Sequence, residues 1–180
     1  MKILIDCDNI LNNLTEVVLK IYNEDWNDNL KMDDIVKYQI ENFIKQPAKE
    51  KFYKYFTQKR VWKQISPIAD SIKYINKLRE DGHDLYLCTK TEPYNAYKKS
   101  EWCFRNYGFK PRKNFLCVPD KTMIRADILI DDCLDNFGGQ DYSIVLDYPW
   151  NRNTDDENII RASSWKEIYN IICLINKEEK

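Results

Sequence analysis

Six residues of this chain have the types and spacing to handle a phosphate ester if the fold gathers them. Asp6 and Asp8 flank one residue at the end of an apolar run, Asp131 and Asp132 close another, and Thr89 ends a third. Lys121 stands ten residues before Asp131. Carboxylates with a hydroxyl and an ammonium are the composition of a magnesium and phosphate site, because Mg²⁺ takes carboxylate oxygens and keeps positions for water and substrate oxygens. A carboxylate approaching a phosphate dianion at ~4 Å costs about 4 kcal/mol per like-charge pair at an effective dielectric of 20. A divalent metal and a lysine offset that repulsion. A second carboxylate must supply a proton to the leaving oxygen, and two aspartates one residue apart on an extended strand end can divide these roles. Taken singly, an Asp-x-Asp or an acidic pair most often serves a turn or cap, and a lone lysine a solvated surface. Their joint occurrence points to a site.

Five apolar runs read as the strands that must position them: 2–6 (KILID), 84–89 (DLYLCT), 114–118 (NFLCV), 127–131 (DILID) and 142–147 (YSIVLD). Several lack alternation, as strands buried on both faces of a parallel sheet do. Helical patterns lie between them. Ser66-Pro67 reads as a helix start leading into Ile68, Ile72, Ile75 and Leu78, Pro93 opens a helix that Gly108 ends, and Ser164 with Glu167 forms a capping box for the last helix. Strands alternating with helices predict an α/β, doubly wound, mainly parallel five-stranded sheet. Its strand ends are where ligands bind.

The first crossover is too long for one helix. Residues 14–65 read as a helical cap with helices near 14–23, 33–43 and 48–58, inserted into a core domain of 1–13 and 66–180. Nine of the 24 aromatics fall here, most of them expected to form a small core, with one or two rings left to face a ligand. The Lys-rich stretch 45–63 reads as a solvated face with the capacity to attract a nucleotide anion, and the closing KEEK as a solvated end. Trp150 divides evenly between closing the core and lining the pocket.

Composition excludes several classes. Lys+Arg 28 against Asp+Glu 29 argues against coating nucleic acid or an anionic membrane by bulk charge. A single histidine, His83, excludes His-rich zinc sites, and four glycines form neither a P-loop nor a GxGxxG turn. The six cysteines form no CxxC pair, which suits a reducing cytoplasm. No apolar run approaches the ~18 residues of a membrane span.

Asp6-x-Asp8, Thr89, Lys121 and Asp131-Asp132 match, in order and setting, the haloacid dehalogenase superfamily of phosphohydrolases. The insert directly after the first motif, LCT in the second, and Lys121-Thr122 followed by ADILIDD make the chain most similar to the 5'(3')-deoxyribonucleotidases, over nearly its whole length. The resemblance implies Asp6 as the nucleophile forming an aspartyl-phosphate and Asp8 as general acid, then base. It implies Mg²⁺ held by Asp6, the backbone carbonyl of Asp8 and Asp132, with Asp131 close by. Thr89, the backbone at Lys90 and Lys121 would grip the phosphate. Two positions depart from the family: Asn9 stands where glycine is usual, and Leu14 where a base-stacking phenylalanine is frequent.

The resulting expectation is a magnesium-dependent phosphomonoesterase acting on deoxyribonucleoside monophosphates, cytoplasmic, with no membrane or nucleic-acid partner. Oligomeric state is left open between a monomer and a homodimer. The alternatives are a phosphatase of another small metabolite or of a nucleic-acid end, and outside enzymes a receiver-like phospho-acceptor or a nucleotide-binding module. A receiver carries its acidic pair on the first strand, whereas here the pair ends the fourth. Lys121 is expected to act on the phosphate rather than in the core, so that its loss would spare the fold.

Overall fold

The computed structural model describes residues 1–178; positions 179 and 180 of the KEEK tail lie outside the described residues. One parallel sheet organises the chain, built from β1 (Lys2–Ile5), β2 (Asp84–Thr89), β3 (Phe115–Cys117), β4 (Ala126–Asp131), β5 (Gln140–Leu146) and β6 (Ile159–Ala162). The strand order is β3-β2-β1-β4-β5-β6, with every pairing parallel. The sheet thus has six strands rather than five. The sixth, IIRA, is a four-residue edge strand behind the polar loop 151–158, too short to show a pattern of its own.

The central strands are apolar on both faces because both are covered, one by helices and the other by strand ends and loop segments. Ile3, Ile5, Leu87, Ile128, Ile130 and Ile144 pack with α3 (Ser71–Glu80), α4 (Pro93–Tyr107) and α5 (Trp165–Glu178) in the main core. Leu4, Cys88 and Leu129 form a smaller cluster on the opposite face. Pro93 and Gly108 bound α4 as expected, Gly108 at φ 72° in the left-handed conformation that favours glycine. At the start of α5, Ser164 accepts a hydrogen bond from the Glu167 amide, while the Glu167 carboxylate reaches Ser163 instead of the cap residue.

Ser66-Pro67 does not open a helix. Segment 66–68 instead runs back along 11–13, through Asn13 N to Ser66 O (3.2 Å) and Ile68 N to Leu11 O (2.9 Å), and α3 starts only at Ser71. The two ends of the inserted segment are therefore tied together at the sheet.

Within the insert, α1 (Leu14–Trp26) is the expected first helix. The other two expected helices are replaced by 3-10 turns at Met32–Asp34 and Ile40–Phe43, a 3-10 stretch at Ala48–Thr57, and the short α2 (Lys59–Trp62). Ile35 and Ile40 are five residues apart, a spacing that an α-helix cannot bury on one side, yet both are buried. Leu14, Val18, Tyr22, Phe52, Tyr55 and Val61 form a separate apolar core that recruits Trp150 from the loop after β5. Tyr22 meets Phe52 edge-to-face at 5.9 Å.

Candidate active site

The carboxyl ends of β1, β2 and β4 carry the residues singled out above. Asp6 follows β1, with its amide bonded to Ile130 O of β4 at 2.9 Å. Thr89 ends β2, and Asp131 ends β4. Lys121 enters from a 3-10 turn before β4, which Asp120 caps by accepting from Thr122 N.

Lys121 is 1% exposed, and its ammonium bridges Asp6 Oδ1 and Asp131 Oδ2, the latter at 2.6 Å. It is a member of the buried interior, which corrects the expectation that its charge stands apart from the core. Asp131 also accepts from Cys133 N and Asn136 Nδ2, both at 3.0 Å. Asp132 accepts from Asn9 Nδ2 at 2.8 Å, and its backbone carbonyl takes Trp150 Nε1 and Asn151 Nδ2. Trp150 lies under Tyr148 with ring centroids 4.4 Å apart.

Asp6, Asp131 and Asp132 place carboxylate oxygens within 4.8 Å of one another, all three buried. One ammonium, Lys121, contacts this trio, so the cluster carries two negative charges in excess when all three acids are ionised. Burial, then the neighbouring Asp131 and Asp8 charges, push Asp6 up to about 6 against the pull of Lys121. Burial and the charges of Asp131 and Asp6 push Asp132 well above the ordinary carboxylate range. Burial works against the Lys121 ammonium, yet Asp131 and Asp6 outweigh it and its pKa rises. All-oxygen donors with an excess charge of two fit a hard divalent cation.

Asp8 is placed differently. Its Oδ2 lies 2.6 Å from Lys99 Nζ and its Oδ1 accepts from Asn12 Nδ2 at 3.2 Å, so its carboxylate is not in the trio. Lys99, on α4 and 5% exposed, also donates to Thr89 Oγ1 at 3.0 Å. Sequence reasoning missed Lys99. It sits beside Lys98 in a charged helix, and nothing but the tertiary fold distinguishes the two.

A polar cavity of about 480 Å³ opens on these groups, lined by Asp6, Asp8, Lys90, Lys121 and Asp132 together with Tyr38 and Tyr53 of the insert. Thr89 and Asp131, both 0% exposed, stand behind this wall. Beside it lies an apolar cavity of about 120 Å³, where Ile35, Tyr38, Ile40, Phe56 and Trp150 face Asp8 and Asp132. Tyr38 borders both cavities, and Trp150 fills both of the roles it was given from sequence.

A Clostridium acetobutylicum protein named 5'(3')-deoxyribonucleotidase is 27% identical over 169 residues, covering 91% of this chain and 89% of its own. A Bacillus subtilis protein of the same name is 27% identical over 92% of this chain and 95% of its own. Among solved structures, a haloacid dehalogenase-like protein from Agrobacterium tumefaciens shares the fold with a TM-score of 0.69, at 12% identity over 97% of this chain and 98% of that one. A haloacid dehalogenase family hydrolase from Deinococcus radiodurans, solved with bound phosphate and sodium, superposes with a TM-score of 0.59, at 12% identity over 97% and 96%. A family model matches residues 1–179, and the chain belongs to that family: 5' nucleotidase, deoxy (pyrimidine), cytosolic type C.

Proposed function

We propose that the chain hydrolyses deoxyribonucleoside monophosphates with Mg²⁺, through a phosphoryl group carried on Asp6. The observation that carries this reading is the adjacent pair of cavities that share Tyr38, Asp8 and Asp132 in their walls, one polar with Asp6 and Lys121, the other largely apolar with Ile35, Ile40 and Phe56 of the insert. A nucleotide has the same two ends. The deoxyribonucleotidase names of the relatives support the substrate class.

Asp6, Asp132 and Asp131 would hold the metal, with the backbone of Asp8 beside them. Bound there, Mg²⁺ supplies positive charge against the phosphoryl oxygens. A carboxylate oxygen of Asp6 attacks phosphorus, the bond from phosphorus to the nucleoside oxygen breaks, and that oxygen takes a proton from Asp8. Asp8 then removes a proton from water, water attacks phosphorus, the bond to Asp6 breaks, and inorganic phosphate leaves. Lys121 neutralises Asp6 and Asp131 so that the incoming dianion meets less repulsion. Lys90 faces the polar cavity from the end of β2, and Thr89 steadies Lys99 behind Asp8.

Residues 14–65 act as a cap in this reading, with Tyr38, Phe56 and Trp150 meeting the base and sugar and 1–13 with 66–180 forming the core domain. Among the described residues no helix is long and apolar enough to cross a membrane, and the six cysteines are free thiols. A reducing cytoplasm suits both. Phosphate release from a panel of nucleoside monophosphates and sugar phosphates, with Mg²⁺ or with chelator, tests the proposal. Deoxyribonucleotides turned over only with metal are expected, and turnover in excess chelator would contradict it.

A further inference from the structure

Asn9 holds a left-handed backbone at φ 59°, as do two other non-glycine residues, Asn27 and Asp70. Those two are exposed, whereas Asn9 is 7% exposed and uses both ends of its side chain. Its Nδ2 donates to Asp132 Oδ2 at 2.8 Å, and its Oδ1 accepts from Thr15 N, in the first turn of α1, at 3.2 Å. The residue in the N-cap position of α1, Asn13, makes no side-chain cap, so Asn9 and Asn12 satisfy that turn from outside. The Asn9 carbonyl accepts from Tyr148 Oη at 2.8 Å, and the Tyr148 ring stacks on Trp150, which bonds the Asp132 carbonyl. Conformation alone does not require an amide here, since glycine adopts the same φ freely.

We propose that Asn9 is a positioning residue that fastens the metal-site acid Asp132 to the start of α1, so that metal occupancy and the placement of the insert are coupled. An amide on one carboxylate oxygen orients the other, which is how hydrogen-bond partners behind a ligand tune metal affinity. Because the same amide caps α1, any preference of the metal for one orientation of Asp132 is felt by Thr15 N. Linkage makes the effect reciprocal: a substrate that draws the insert down tightens the metal, and the metal steadies the insert.

The proposal rests on the divalent-metal reading above, and the test separates the two. Mg²⁺ is titrated by calorimetry into the metal-stripped full chain and into Asn9→Gly, which keeps the backbone conformation and deletes both side-chain bonds. Hydrogen exchange of the α1 first turn is followed in parallel, with and without Mg²⁺. The expected result is binding weakened by roughly 10- to 100-fold in Asn9→Gly. In the wild type Mg²⁺ should slow exchange at Thr15, and in the variant it should not. The exchange measurement on the wild type needs no substitution, so a poorly folding variant does not shield the proposal. Equal Mg²⁺ affinity in the two proteins, or α1 exchange in the wild type indifferent to Mg²⁺, overturns the role of Asn9 alone. Failure of the wild type to bind Mg²⁺ overturns the metal reading and the proposal with it.

Discussion

Lys99 and Asp8 meet 2.6 Å apart beneath the polar cavity, one on α4 and the other three residues past the end of β1. The lysine also holds Thr89, so one ammonium fixes two residues that separate stretches of sequence deliver. Burial works against its charged form, but Asp8 outweighs this and the ammonium is stabilised. Lys99→Met should therefore lower kcat on nucleotides by at least tenfold, with a smaller change in KM. Its stability cost should fall below the roughly 3–5 kcal/mol of a fully buried broken pair, because the Asp8 side chain is 23% exposed. Steady-state kinetics beside urea melts check both. Wild-type kcat in a folded variant would remove Lys99 from the site.

Lys121→Ala tests the opposite situation. Its removal leaves Asp6, Asp131 and Asp132 buried with no ammonium against them. In the metal-free protein at pH 7 we expect a loss of roughly 3–5 kcal/mol. The deficit should shrink toward pH 5 as Asp6, whose carboxyl is raised to about 6, takes up a proton, and Mg²⁺ should restore part of it. Urea melts at the two pH values measure this; a variant as stable as wild type at pH 7 would contradict the buried bridge.

The pKa of Asp6 fixes the sign of the metal effect. Burial raises it to about 6 from an ordinary 3.8, so between these values the metal-free folded state binds more protons than the unfolded chain. Stability from this group is present below pH 4 and declines as pH rises through 6. A cation that offsets the ionised carboxylate reverses that decline. The Mg²⁺-induced rise in Tm should be larger at pH 7 than at pH 5, by differential scanning fluorimetry at matched ionic strength. An equal or smaller rise at pH 7 would contradict it.

Tyr38 lines both cavities and the residue is 51% exposed, so truncating it should cost little stability. Tyr38→Ala should raise KM for a deoxyribonucleotide about tenfold, or about 1.4 kcal/mol. KM for nitrophenyl phosphate, which is too small to span both cavities, should change less. Equal effects on the two substrates would show that Tyr38 does not sense the nucleoside.

The parts legible in the sequence are those where local pattern and tertiary role coincide. The continuous apolar runs of β1 and β4 gave their strands, and the acids closing those runs fell at the sheet edge because parallel strands all end there. Lys121 was singled out from the sequence as a candidate, but its burial was not legible, because its partners Asp6 and Asp131 lie elsewhere in the chain. Lys99 was illegible because a lysine adjacent to another reads as a solvated helix face until α4 is packed behind β2. The helix expected at 33–43 does not form: Ile35 and Ile40 are both buried, and their five-residue spacing fits no single helix face. β6 was lost because four residues carry no period.

Division of labour between Asp6 and Asp8 is tested most directly by rapid mixing of Asp6→Asn and Asp8→Asn with nitrophenyl phosphate and with a deoxyribonucleotide. Asp6→Asn has no nucleophile and should release no leaving group from either ester. Asp8→Asn lacks the proton donor, so nucleotide cleavage should fall by roughly 10²–10⁴-fold. Nitrophenolate leaves without a proton, and the slow second step should then trap phosphorylated Asp6. A burst approaching one equivalent of nitrophenolate per Asp8→Asn enzyme, with none from Asp6→Asn, is the result expected. A burst from Asp6→Asn and none from Asp8→Asn would exchange the two roles, and full activity in both would place the chemistry elsewhere.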